Sequence, residues 1–290
     1  MIRIKVGRQE LINRINAAAP RWITKAEIRT SQYAQSQDYT GGSEFWGDIK
    51  NVYIEVQYEK CAYCETKLQG AVLASKVHEV EHFRPKASIT EWPDRGRSYW
   101  QDFPTTIRTG GADTRGYFLL AYHPFNYAIA CTRCNSTLKS NYFPIRGQRD
   151  TSIEDPSHDA IEDCLLIYPL SDLAVDPAKV ITFDGVLAVP LNKKGAMYER
   201  AATTIWFFQL NHEDLTTRRA GMLVPLWNML EMARTAPRKR DRELATADVA
   251  LACSASGQFS ACMAAFQDLY DRDRIAARER YLAARNLQQR

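Results

Sequence analysis

Two short cysteine pairs, Cys61-Ala-Tyr-Cys64 and Cys131-Thr-Arg-Cys134, constrain this chain more than any other feature. A C-x-x-C loop lets two sulfurs approach one ion, and four thiolates satisfy the tetrahedral preference of zinc. The pairs are 66 residues apart, whereas compact zinc ribbons space theirs by about 15–20. A shared ion would therefore staple two distant stretches of chain. A closed four-sulfur site leaves no position for substrate, so such a zinc shapes the fold and leaves the chemistry to other residues. Two other readings stay open: a redox role, which no thioredoxin-like pattern supports, and unrelated core cysteines. Cys164, Cys253 and Cys262 stand alone and read as small buried apolar residues. An odd count of seven cysteines, four of them in C-x-x-C pairs, does not describe a disulfide framework.

Length bounds the rest. The 290 residues suffice for one large domain or two modest ones. A hydrophobic share of 45% and a charged share of 25% are those of an ordinary globular protein. No apolar run reaches the ~18–20 residues that span a bilayer. The opening MIRIKVGRQELINRI lacks the apolar core and cleavage site of a signal peptide. A cytoplasmic location away from membranes is the expectation. The net charge of +4 permits contact with phosphates without arguing for it.

The apolar pattern predicts an α+β protein, mostly helical. Residues 1–57 read as helices with a polar break at 36–43, and 45–60 place Phe45, Ile49, Val52 and Val56 on one helical face. VHEVEHF reads as a strand. Residues 91–116, rich in Pro, Gly and charge, read as an insertion loop. Apolar segments then flank the His123-Pro124 break, and Asn135-Ser-Thr-Leu-Lys139 starts like a short helix. Beyond a polar connector at 150–160, LLIYPL and VITFDGVLAVP read as short strands, the latter turning at Asp184-Gly185. Helices dominate from about 195 to the end, and the aromatics of 198–208 and 225–229 read as helix packing. No internal repeat and no phosphate-binding P-loop is present.

Between the cysteine pairs lies His78-Glu-Val-Glu81-His82-Phe-Arg84-Pro-Lys86. Glu81 and His82 are adjacent, so a regular strand would aim them at opposite faces. A twist or bulge where the strand ends at Arg84-Pro85 would let both reach one phosphate. Phosphodiester hydrolysis needs an activated water and neutralisation of phosphate charge. An imidazole can take the proton, and a hard cation takes oxygen ligands such as the Glu81 carboxylate and the Asn135 amide. Asn135 and Lys139, four apart, would share a helical face. Arg84, Lys86 and Lys139 are candidate phosphate contacts, each equally readable as a solvated turn residue. His78 is an alternative ligand. His123, His158 and His212 carry no ligand spacing.

The succession C-x-x-C, E-V-E-H-F-R-P-K, Asn126 and C-x-x-C-N-x-x-x-K, over residues 58–146, resembles the HNH endonucleases with a ββα-metal fold. The E-H-F-R-P-K wording, Y-F-L-L-A-Y and N-Y-F-P are similar to the HNH subunits of Septu-type and retron-associated anti-phage systems. The likeness extends more weakly through LLIYPLSDLAVDP and TIWFFQLNHEDLTTRR.

This resemblance implies a zinc-stapled ββα-metal core at 58–146, an N-terminal helical region at 1–57, and short strands then helices at 147–290. It implies His82 as the general base, Glu81 and Asn135 as ligands of a catalytic Mg²⁺ or Mn²⁺, and Asn126 as the residue that holds the loop and orients the base. It places Cys61, Cys64, Cys131 and Cys134 on structural Zn²⁺. It also implies a DNA substrate and a partner ATPase of the ABC/SMC type. RNA, such as tRNA, is an alternative substrate, and a zinc-stapled binding module without catalysis is an alternative function. Two departures stand out: Ser140 follows Lys139 where many relatives have glycine, and the 91–116 insertion separates the first motifs and could cover or shape a substrate groove.

Overall fold

The computed structural model describes residues 1–68, 80–157, 161–171 and 175–289. Among these residues it is an α+β chain in which helices occupy both ends and two small two-stranded sheets lie between. His78, His158 and the first residues of the VHEVEHF strand fall outside the described residues.

Helix α1 (Arg8–Ala18) buries Leu11 and Ile15, one turn apart, and α2 (Trp22–Ser36) buries Trp22, Ala26 and Tyr33. The expected polar break follows, with Gln37 in the left-handed region ending α2. The expected single helix over 45–60 is shorter and composite. A 3₁₀ turn, Trp46–Ile49, leads into α3 (Lys50–Val56), which buries Val52 while Phe45 and Val56 pack at the core edge. It stops because Tyr58 and Glu59 take positive φ. The Gln57 amide then bonds both backbone groups of Ile129, accepting from its N–H at 2.8 Å and donating to its carbonyl at 2.8 Å.

Strand β1 (Val80–His82) pairs antiparallel with β2 (Tyr127–Ile129), with Val80 opposite Ile129, Glu81 opposite Ala128 and His82 opposite Tyr127. The short helix expected after the second cysteine pair is present at Arg133–Lys139, but as a π-helical turn. Strands β3 (Ile181–Asp184) and β4 (Leu187–Pro190) form the expected hairpin, with Gly185 at φ +59° in its turn. LLIYPL is not a strand. Its segment makes single bridges, Cys164 to Ile145 and Leu170 to Ile4, and Pro169 has no N–H to extend a ladder.

Residues 91–116 form no regular element, as expected, yet they belong to the core. Trp92, Trp100 and Phe103 are buried. They pack on Trp206 and Phe207 of α4 (Ala196–Phe207), and the Trp100 indole donates to the Trp206 carbonyl at 3.2 Å. Burial of these rings, worth roughly 2–3 kcal/mol each, fixes the insertion as packing material. The aromatics of 198–208 do pack as expected. Helices α5 (Glu213–Thr235), α6 (Lys239–Cys253), α7 (Ser260–Arg272) and α8 (Arg274–Leu287) complete the chain. One hydrophobic cluster runs from Met1 to Ala284, so the three regions share a core.

A buried polar knot ties the first cysteine loop to α7. Lys60 donates to Glu65 at 3.1 Å, to Ser260 at 2.9 Å and to the Gly257 carbonyl at 2.8 Å, while Glu65 also meets the Met1 ammonium. Burial opposes the Glu65 charge, but the Met1 ammonium and Lys60 outweigh it and lower the carboxyl from 4.5 to about 2. A depressed carboxyl contributes stability above its ordinary value and loses it as pH falls toward the folded value. Stability should therefore decline between about pH 4.5 and pH 2, by up to about 3 kcal/mol from this group. Urea unfolding at stepped pH should show a shallower acid limb in Glu65→Gln than in wild type.

Candidate metal centre and active site

The staple is built from both ends of the small sheet. The first cysteine loop is a tight turn closed by Cys61 N–H to the Thr66 carbonyl at 2.9 Å, and Ala62 N–H reaches the Ile129 carbonyl of β2 at 3.0 Å. The second pair follows β2 directly, with Cys131 just before the π-helical turn and Cys134 inside it. Their four sulfur atoms lie within 4.8 Å of one another. Cys64 and Cys131 are 3.8 Å apart, far beyond a disulfide bond of about 2.05 Å. Sulfurs about 2.3 Å from a tetrahedral zinc stand roughly 3.8 Å apart. The donor set and its spacing thus fit a structural zinc. Mutual hydrogen bonding lowers the Cys64 and Cys131 thiols; burial raises Cys61, and hydrogen bonds from its neighbours raise Cys134, so it is the sulfur spacing that carries the fit to zinc. Cys164 and Cys262 are buried and Cys253 is half-buried, all apart from this cluster.

The sheet and the π-helical turn enclose a concavity of about 340 Å³, lined by Glu81, His82, Lys86, Asn135, Ser136 and Asn141 among others. Glu81, His82 and Asn135 thus meet at one cavity although 52 residues lie between His82 and Asn135. No residue of 91–116 lines it.

His82 is held on several sides. Its Nε2 lies 3.0 Å from the Ala121 carbonyl. A carbonyl only accepts, so Nε2 carries the proton and Nδ1 keeps the lone pair. Tyr127 O–H donates to the same carbonyl at 2.5 Å, and the rings of Trp46 and Tyr127 stand edge-on to the imidazole at 4.8 and 5.0 Å. Burial, then the Lys86 and Lys139 charges, lower His82 from 6.5 to about 3. The ring is neutral at physiological pH.

Asn126 is fully buried and acts on the chain just after β1. Its Oδ1 accepts from Arg84 N–H at 2.8 Å, and its Nδ2 donates to the Arg84 carbonyl at 3.0 Å and the Leu120 carbonyl at 3.1 Å. It therefore fixes both the turn after His82 and the segment that carries Ala121.

The basic candidates separate. Lys86 lines the cavity, its Nζ 4.5 Å from the centre of the Trp46 ring. Arg84 does not: it is 2% exposed, and its guanidinium meets Glu162 at 3.2 Å and the Pro156 carbonyl at 3.3 Å. These partners lie inside the protein and not at the cavity where a phosphate contact was expected. Glu162 also accepts from Tyr117 O–H at 2.6 Å and Asp150 N–H at 3.0 Å, so Arg84 anchors the following segment to β1. Lys139 is likewise fully buried and faces Glu81 at 3.4 Å, not a solvent-borne phosphate. His123 and His212 each accept from a backbone N–H two residues on, the role of a turn cap.

Sequence reasoning missed the Ala121 carbonyl, Tyr127 and Trp46. No side-chain motif announces a carbonyl acceptor. The one available signal was Tyr127 next to Asn126, directly opposite His82 once the two strands pair.

No protein-family model and no solved structure matches this chain. The chain is similar to the Septu protein PtuB of Bacillus mycoides (strain KBAB4), 29% identical over 172 residues. That stretch covers 59% of this chain and 50% of the relative, so the match spans half the length of that protein. No helix among the described residues is long and apolar enough to cross a membrane.

Zinc analysis of the purified protein should find about one ion per chain, and Cys131→Ser should lose it together with several kcal/mol of stability. Arg84→Met should leave Glu162 buried beside an apolar group and cost about 3–5 kcal/mol, read by urea unfolding, without altering zinc content.

Proposed function

We propose that this chain is a metal-dependent endonuclease of the HNH type that hydrolyses DNA phosphodiester bonds. The observation that carries this reading is the His82–Ala121 hydrogen bond at the edge of a cavity that Glu81 and Asn135 also line. It fixes the neutral tautomer whose Nδ1 accepts a proton, the state a general base must start from. Burial keeps that ring unprotonated at neutral pH, and an anionic phosphate nearby favours the imidazolium that forms as water is deprotonated. Asn126 holds the turn and the Ala121 segment, so the ring keeps its aim.

Glu81 and Asn135 offer a carboxylate and an amide oxygen to one cavity, a donor set that suits Mg²⁺ or Mn²⁺ with water and phosphate oxygens completing the shell. Such an ion would supply charge neutralisation at the scissile phosphate and the leaving oxygen. Lys86, at the same cavity, is placed to meet an incoming phosphate. The staple of Cys61, Cys64, Cys131 and Cys134 holds zinc away from this chemistry.

The similarity to a Septu protein supports a role in anti-phage defence. The resemblance of the motifs to HNH subunits that work with an ABC/SMC-type ATPase supports the same partner here, which would supply the nucleotide dependence that a chain without a P-loop lacks. The test is cleavage of plasmid DNA and of total RNA in parallel, with Mg²⁺ or Mn²⁺ and with an ABC/SMC-type ATPase partner present. His82→Ala should lower DNA cleavage by about 10²–10⁴-fold while zinc content stays at the wild-type value and the protein remains folded. Undiminished cleavage by His82→Ala would remove His82 as the base. Cleavage confined to RNA would change the substrate and keep the chemistry.

A further inference from the structure

Lys139 is a buried lysine that the hydrolysis described above does not use; burial lowers its ammonium from the usual lysine range, and Glu81 opposes that shift. It ends the π-helical turn, is fully buried, and its Nζ lies 3.4 Å from Glu81 Oε1. Lys86 brings a second ammonium to the same region. His82 is neutral there, and Asn135, Ser136 and Asn141 carry no charge. The Glu81 carboxylate therefore faces the Lys139 ammonium, with Lys86 lining the same cavity, before any metal or phosphate arrives.

This arrangement has two consequences. A buried carboxylate without a counter-charge is costly, so the Lys139 ammonium lets Glu81 stay ionised and ordered in the bare protein. The same ammonium repels a divalent ion brought to that carboxylate, because like charges inside a protein are weakly screened. Lysine suits both roles. It is a point charge without a bidentate fork, and 3.4 Å is looser than the ~2.7–2.9 Å of a strong charge-assisted hydrogen bond, so Glu81 keeps capacity for a metal.

We propose that Lys139 is a positioning residue that serves as the resident counter-ion of Glu81: it preforms the site and keeps divalent-ion affinity low until nucleic-acid phosphates enter the cavity. This rests on the nuclease reading above and deepens it. Phosphates offset the Lys139 charge, so metal and nucleic acid bind cooperatively, and each raises the affinity of the other by the same factor. An idle protein thereby leaves its catalytic ion site largely unfilled at ordinary divalent-ion levels.

The test is Mn²⁺ binding, followed through the electron paramagnetic resonance of free Mn²⁺ at pH 8 in a non-cleaving His82→Ala background. Titrations run without nucleic acid, with duplex DNA and with RNA. The expected result is an Mn²⁺ affinity about tenfold higher with nucleic acid present. Adding Lys139→Met should raise the affinity of the bare protein about tenfold and remove most of the gain from nucleic acid. It should also lower the melting temperature of the metal-free protein, and Mn²⁺ should restore it; a purely structural lysine would leave Mn²⁺ affinity unchanged or weaker. Should Lys139→Met fail to fold, Lys139→Gln carries the same expectation. Unchanged or weakened Mn²⁺ binding by the bare Lys139 variant, in a protein that still cleaves with His82 intact, overturns the counter-ion role alone. Failure of every variant to take up Mn²⁺, with or without nucleic acid, overturns the nuclease reading as well.

Discussion

Four sulfurs gathered within 4.8 Å hold the rest of the site in register. Among the described residues the sheet they brace pairs three residues per strand, and a two-stranded sheet of that size has little stability of its own. The cysteine loops grip it from both sides: one bonds to Ile129 on β2, and the other leads from β2 into the π-helical turn. Glu81 and His82 belong to the first segment and Asn135 to the second. Gln57 reinforces the clamp by bonding both backbone groups of Ile129. A metal at this point would do no bond-breaking in the proposed reaction, yet it would set the spacing of every group proposed to do so.

The order of the elements around that clamp was readable from residue types, because C-x-x-C spacing and hydrophobic period are local signals. The helices of the two ends, the Gly185 hairpin and the strand around Glu81-His82 are of this kind. What could not be read depends on distant partners. Arg84 looked like a surface residue because it precedes a proline in a polar turn, and Glu162, which buries it, lies 78 residues away. LLIYPL has the composition of a strand, but its neighbours offer only isolated backbone partners. The 91–116 segment carries loop composition, and its tryptophans and Phe103 become core only because α4 presents aromatic rings to receive them. Within the site, the side chains were visible in the sequence and their backbone partner was not.

Charge in this site is distributed with a bias. Burial and two nearby lysines all favour a neutral imidazole, while the carboxylate beside it is held by one of those lysines. The cavity thus favours anions while keeping the imidazole unprotonated. An acidic polymer such as nucleic acid meets these requirements from outside the protein, which agrees with a chain whose overall charge is only modestly positive.

The Ala121 carbonyl receives hydrogen bonds from both His82 and Tyr127, and Tyr127 begins the strand that pairs with His82. The imidazole is therefore pinned to its own neighbour in the sheet through a shared acceptor, a short closed loop with no slack. A ring held this way cannot swing out to find its target. If the proposed hydrolysis holds, the strand of nucleic acid would have to be delivered to this ring, and a switch acting on the reaction would work by governing that delivery.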